Sequence, residues 1–283
     1  MPQAGGDGNR SARLEDRGPR HARREASLPD PVNMPHAAPL DTGRPDDTPR
    51  GHEGAGRDRS GIEKRGAPDP SSVFLMTSID FVTLEVADPA AAERFYTTAF
   101  GLTGQIRLRA SETPSTGFRG FTLSLVVAQP ADVDALVDAA VEAGATTLKP
   151  AAKSLWGYGG VVQAPDGTIW QVASSSKKNT GPATRDFQEI VLLLGVEDVK
   201  ASKQFYVDHG LVVGKSFGGK YCEFDTGTGP VKLALYKRRG LAKVAGVSPE
   251  GTGSHRLAVA SSAGPFTDPD AFEWTTADVN AER

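Results

Sequence analysis

The chain has 283 residues, a formal net charge of −3 and 38% hydrophobic residues, unevenly spread. Residues 1–75 hold 10 of the 20 Pro and 10 of the 32 Gly, with twelve basic against twelve acidic side chains and Phe74 as their sole Phe, Tyr or Trp. So little apolar surface cannot offset the entropy of ordering a backbone. This segment therefore reads as a disordered tail or an upstream extension that adds no function, and folding is left to residues 76–283. The balanced charge excludes a basic nucleic-acid-binding surface. No run approaches the roughly 18 apolar residues of a membrane span, and the N-terminal arginines precede no apolar core of a secretory signal. The single cysteine, Cys222, excludes an internal disulfide. The expectation is a cytoplasmic protein with no nucleic-acid or membrane partner.

In chain order, Ile79 to Val86 alternates as a strand, with Val82, Leu84 and Val86 on the core face and Phe81, Thr83 and Glu85 opposite. Asp88-Pro89 supplies an N-cap and a first-turn proline for the helix that follows. Thr122 to Val127 alternates next, setting Thr122, Ser124 and Val126 against Leu123, Leu125 and Val127. Val133, Leu136, Val137, Ala140 and Val141 form an apolar stripe on a helix over 131–143, closed by Gly144. Strands are predicted near 146–150, 158–164 and 167–174, and later at 220–225 and 231–237. The organisation expected is a first domain at 76–176, a polar linker at 177–183 and a second, trimmed domain at 184–283.

An internal repeat supports two domains. Asp88, Phe95-Tyr96 and Gly101-Leu102 return as Asp198, Phe205-Tyr206 and Gly210-Leu211. Pro165-Asp166-Gly167-Thr168-Ile169-Trp170 returns as Pro269-Asp270-Ala271-Phe272-Glu273-Trp274. In physical terms the Phe anchors a helix on a sheet, and Pro-Asp turns the chain into a strand carrying a buried Trp. Together with Trp156-Gly157, this ordered set resembles the vicinal oxygen chelate superfamily, which includes glyoxalase I, bleomycin-resistance proteins and extradiol dioxygenases. The resemblance implies an α+β fold of tandem βαβββ modules, whose curled mixed sheets form cups for a small ligand. Both copies are expected to be trimmed. The stretch from Arg109 to Phe121 is too short for a full set of strands, and no long helix precedes Pro269. Relatives often pair, so cups closed within the chain and cups closed in a homodimer both remain open.

Metal-using members bind a divalent ion through His, Glu or Gln side chains at set strand positions. The resemblance places those positions at Phe81, Thr122 and Gln171 in the first copy and at Val191, Arg256 and Thr275 in the second. Phe and Val cannot ligate, Thr rarely does and Arg repels a cation, which leaves Gln171 as one weak neutral ligand. Two histidines lie beyond residue 75. His209 reads as a helix-end cap, and His255 neighbours a ligand position but is aimed by alternation at the opposite face. Cys222 reads as a plain strand residue. No metal or cofactor is expected. Phe81, Thr83, Glu85, Thr122, Ser124 and Gln171 are expected to face one cup, with Trp156 and Tyr158 at its rim and Arg256 from the second copy. That mixture of aromatic surface and carboxylate suits a planar or cationic organic molecule. The function expected is binding of such a molecule without metal. The alternative is a metal-dependent lyase or dioxygenase of the same superfamily with displaced ligands.

Overall fold

The structure, a computed structural model, describes residues 77–155 and 157–276. The expectations for residues 1–75 and for Trp156 lie outside the described residues. The elements run β1 (Ile79–Val86), α1 (Pro89–Phe100), β2 (Ile106–Ala110), β3 (Ser115–Gly117), β4 (Phe121–Val126), α2 (Pro130–Glu142), β5 (Thr146–Lys153), β6 (Tyr158–Gln163) and β7 (Ile169–Ser174). They continue with β8 (Glu189–Val196), α3 (Val199–Asp208), β9 (Val212–Phe217), β10 (Tyr221–Asp225), β11 (Val231–Lys237), α4 (Arg238–Ala245), β12 (Gly251–Gly253), β13 (Leu257–Ser261), β14 (Phe266–Thr267) and β15 (Glu273–Thr276). The predicted helix starts hold. The carboxylate of Asp88 accepts from Ala91 N at 3.0 Å, and that of Asp198 from Lys200 N at 2.8 Å.

These elements form the modules that the resemblance implies, two complete and two trimmed. In β4-α2-β5-β6-β7 and β8-α3-β9-β10-β11 the first strand pairs in parallel with the last. The opening module is β1-α1-β2. There β2 lies parallel to β1, in the place that β7 and β11 occupy in the complete modules, so two strands are missing. The closing module keeps β13, β14 and β15 but has no helix between its first two strands.

The modules close in a nested order. Antiparallel pairing of β4 with β8 joins the two complete modules into an eight-stranded sheet, β5-β6-β7-β4-β8-β11-β10-β9. Antiparallel pairing of β1 with β13 joins the two trimmed modules into a five-stranded sheet, β14-β15-β13-β1-β2. Each sheet thus takes strands from both sides of the linker. The main core gathers Phe95, Tyr96, Phe100, Leu123, Leu125, Trp170, Leu192, Leu194, Phe224 and Trp274. Among the described residues no helix is long and apolar enough to cross a membrane.

The repeated tags touch one another. Tyr96 donates its hydroxyl to Asp166 at 2.5 Å, and its ring lies 5.6 Å from that of Trp170. Tyr206 donates to Asp268, and its ring lies 5.2 Å from that of Trp274. The repeat pairs Asp166 with Asp270, but the structure gives the tyrosine to Asp268. Asp270 instead accepts from Glu197 N at 2.8 Å and Ser202 Oγ at 2.9 Å.

Burial, followed by the neighbouring Asp166, Asp268 and Glu223 carboxylates, pushes the phenols of Tyr96, Tyr206 and Tyr221 well above their ordinary range. The neutral phenols are therefore the folded form. Their contribution to stability is complete below the ordinary phenol value near pH ~10 and is lost as the pH rises beyond it. In an alkaline titration followed at 295 nm, these three should ionise only as the fold opens. Ordinary ionisation of all five tyrosines while the native far-UV spectrum persists would contradict this.

Candidate functional site

Strand register decides which of the expected site residues meet. On the eight-stranded sheet one row runs Val161, Gln171, Ser124, Val191, Lys232, and the next contains Thr122, Leu193, Ala234 and Glu223. Thr122, Ser124 and Gln171 therefore share one face, as expected, and are almost completely buried. Gln171 Nε2 donates to Thr122 Oγ1 at 2.7 Å, whereas Gln171 Oε1 and Ser124 Oγ have no hydrogen-bond partner among the described residues. Around them stands a second apolar cluster, separate from the main core: Phe118, Val161, Ile169, Val191, Leu193, Tyr221 and Tyr236.

Helix α4 lies on this same face, and sequence reasoning missed it. Its Leu241, Ala242 and Ala245 are fully buried in the second cluster. It runs from the end of β11 across β8 and β4. Two glycines permit the approach. A Cβ on Gly195 would lie 2.8 Å from Gly120 O and 3.2 Å from Arg238 Cα, and one on Gly240 would lie 2.5 Å from the Tyr236 ring. At the helix start Arg238 donates to Phe118 O at 2.7 Å and Pro249 O at 3.1 Å. At the helix end Lys149 Nζ, on the far-edge strand β5, donates to Lys243 O at 2.7 Å and Val244 O at 2.5 Å. The helix is eight residues long, and Lys237 supplies no side-chain cap at its start, so the usual start signal is absent.

Phe81, Thr83 and Glu85 do not join this group. They lie on β1 in the five-stranded sheet, because β1 pairs with β13 rather than with β4. There the features read as suited to a cationic ligand are already engaged. The Arg107 guanidinium sits 3.5 Å above the Phe81 ring, and Glu85 is paired with Arg109. Arg256, at φ 53°, directs Nε and Nη2 to Thr113 O at 3.0 and 2.6 Å. Tyr158 is not at the cup rim. Its hydroxyl donates to Asp134 of α2 at 2.8 Å, which puts the ring on the helix side of the sheet.

The remaining candidates have structural partners. His209 Nδ1 lies 2.8 Å from Phe205 O at the end of α3, and its ring stacks on Phe205. His255 precedes β13, stacks on Phe272 and places Nε2 2.9 Å from Asp270 O and Nδ1 against Arg119 O. Cys222 is buried in β10, where burial pushes its thiol up to about 11, out of reach of nucleophilic use near neutral pH. As for metal, Thr122, Gln171 and Val191 do converge on the eight-stranded face. Their donor set is a hydroxyl and one amide oxygen, and no group of three His, Cys, Asp or Glu side chains gathers among the described residues. These donors do not fit a divalent ion.

No protein-family model matches the chain, and no curated protein matches it. Among solved structures it is similar to glyoxalase I from Zea mays, with 15% identity over 70% of this chain and 91% of that one and a TM-score of 0.45. It is also similar to a putative dioxygenase from Bacillus subtilis, with 13% identity over 65% and 69% of the two chains and a TM-score of 0.43. A glyoxalase/bleomycin resistance protein/dioxygenase family enzyme from Burkholderia phytofirmans PsJN covers 35% of this chain with 98% of its own, at 23% identity and a TM-score of 0.31.

Proposed function

We propose that this chain, built on the vicinal oxygen chelate fold, binds a small organic molecule in the cup of its eight-stranded sheet without a metal ion or other cofactor. One observation carries the reading. Gln171 Oε1 and Ser124 Oγ are buried on the face that α4 covers and lack partners among the described residues, beside the apolar side chains of Val161, Val191 and Leu193. A buried acceptor left unmade costs about 1–3 kcal/mol, and a ligand N–H or O–H, or a water that the ligand displaces, removes that cost. Few polar groups in an apolar hollow are the usual composition of a small-molecule site. The engaged Phe81 and Glu85 move the expected ligand away from a cation, toward a mainly apolar molecule carrying a donor.

The test is calorimetric titration of chelator-treated protein with apolar molecules that carry one N–H or O–H donor. Gln171→Leu keeps side-chain volume while removing the acceptor. It should weaken binding about tenfold, the equivalent of roughly 1.4 kcal/mol, without lowering the melting temperature, because relief of the unmade acceptor offsets the lost bond to Thr122. A stoichiometric divalent metal in the purified protein, with binding or turnover lost on chelation, would overturn the reading in favour of the lyase or dioxygenase alternative.

A further inference from the structure

We infer that α4 is a tethered, displaceable occupant of the eight-stranded cup, and that the molecule which replaces it shares its chemistry: an apolar body with an oxygen-rich, preferably anionic, end. This rests on the reading of the cup as a binding site and names both its ligand class and its regulation.

What α4 presents to the cup defines what the cup accepts. Its apolar contribution is small, the buried side chains of Leu241, Ala242 and Ala245 with the partly buried Val244, in one cluster with Val191, Leu193, Ala234 and Tyr236. Its polar contribution at the helix end is a pair of carbonyl oxygens, Lys243 O and Val244 O, both held by Lys149 Nζ, while at its start Arg238 donates to Phe118 O. Once α4 leaves, Lys149 is an ammonium at the rim without those acceptors, and a carboxylate or sulfonate is the natural replacement. Gln171 Oε1, on the same face, asks for a donor from the ligand body.

The helix is also built to leave. Eight residues are well below the ~12–15 at which an isolated helix holds in water, so α4 exists because the cup packs it. Its first turn contains Gly240, which the Tyr236 ring requires and which weakens the helix. Gly246, at φ 81°, ends it, and the chain then continues through 247–250 to β12, so release breaks no strand pairing of either large sheet. A plug of this kind divides apparent affinity by the fraction of molecules in which the cup is open.

The probe is 8-anilinonaphthalene-1-sulfonate, which combines aromatic rings, one N–H and a sulfonate. It is titrated by fluorescence into the full chain and into three variants. Leu241→Ala trims the largest side chain that α4 inserts, and Arg238→Gln loosens the tether at Phe118 and Pro249; each should tighten binding about tenfold. Gln171→Leu should weaken it about tenfold. Hydrogen exchange supplies the readout that packing alone would not move. At saturating probe, amides 241–247 should exchange at least about tenfold faster while those of β4, β7 and β8 slow. Binding that depends on Gln171 but is indifferent to both α4 variants, with amides 241–247 equally protected, overturns the plug and leaves the cup reading standing. Binding indifferent to Gln171→Leu, or absent from all four proteins, overturns both.

Discussion

Replacing Trp170 with alanine should destabilise the protein by about 4 kcal/mol, the middle of the range for deleting a large buried aromatic. For a folded region near 200 residues that is a fall in melting temperature of roughly 8–16 °C. The side chain is fully buried on β7, with Phe100 5.0 Å and Tyr96 5.6 Å away, ring to ring. Its strand is paired on both sides, with β4 and β6, so the sheet cannot close over the space left behind. Trp170→Phe, which refills part of that space, should recover about half of the loss. Scanning calorimetry measures both, and a fall of less than about 3 °C for the alanine variant would show that the site collapses freely.

Asp268→Ala should cost about 3 kcal/mol, because one carboxylate serves three donors. It accepts from the Tyr206 hydroxyl, from Phe272 N at 2.7 Å and from Asp270 N at 3.0 Å, and losing it strands groups in a buried turn. Burial raises the Asp268 carboxyl above its ordinary value despite those donors. A raised carboxyl favours the folded state most below its ordinary titration range and loses that advantage as the pH rises through the folded value. Asp268→Asn keeps an acceptor oxygen and removes the titration. It should therefore retain most of the stability, and its disadvantage relative to Asp268 should shrink as the pH climbs from 4 toward 7. Denaturant midpoints at the two ends of that interval decide it; an asparagine variant that falls further behind with rising pH would refute the sign.

Much of this architecture is legible in particular residues. The alternation of Ile79 to Val86 and Thr122 to Val127 marks β1 and β4 because one face of each strand carries apolar side chains into the main core, although the Thr122 and Ser124 face of β4 is buried as well. Asp88-Pro89 and Asp198 mark helix starts because capping is local chemistry. The Phe-Tyr and Trp tags are readable as a repeat because Tyr96 packs on Trp170 and Tyr206 on Trp274. Register was harder to see, since nothing in the period of β1 says that Thr83 faces Ala258 rather than a residue of its own half. That one pairing removes Phe81, Thr83 and Glu85 from the group formed by Thr122, Ser124 and Gln171. Tyr158 went astray by parity, as its neighbour Gly159 lies on the opposite face. Helix α4 escaped because three buried side chains, two of them alanine, are too little apolar stripe to announce a helix.

The nested pairing of sheets also has a consequence for how the chain is made. Of the described strands, β1 leaves the ribosome first during synthesis, and its antiparallel neighbour β13 is among the last to follow. The inner partners β4 and β8 are separated by far less chain, so the eight-stranded sheet can zip up while the outer edge of β1 waits. A nick in the linker would leave each fragment holding four strands of the larger sheet, with the smaller sheet divided two strands to three. The two pieces would then have to find each other, as the subunits of an obligate heterodimer do, before either sheet was whole.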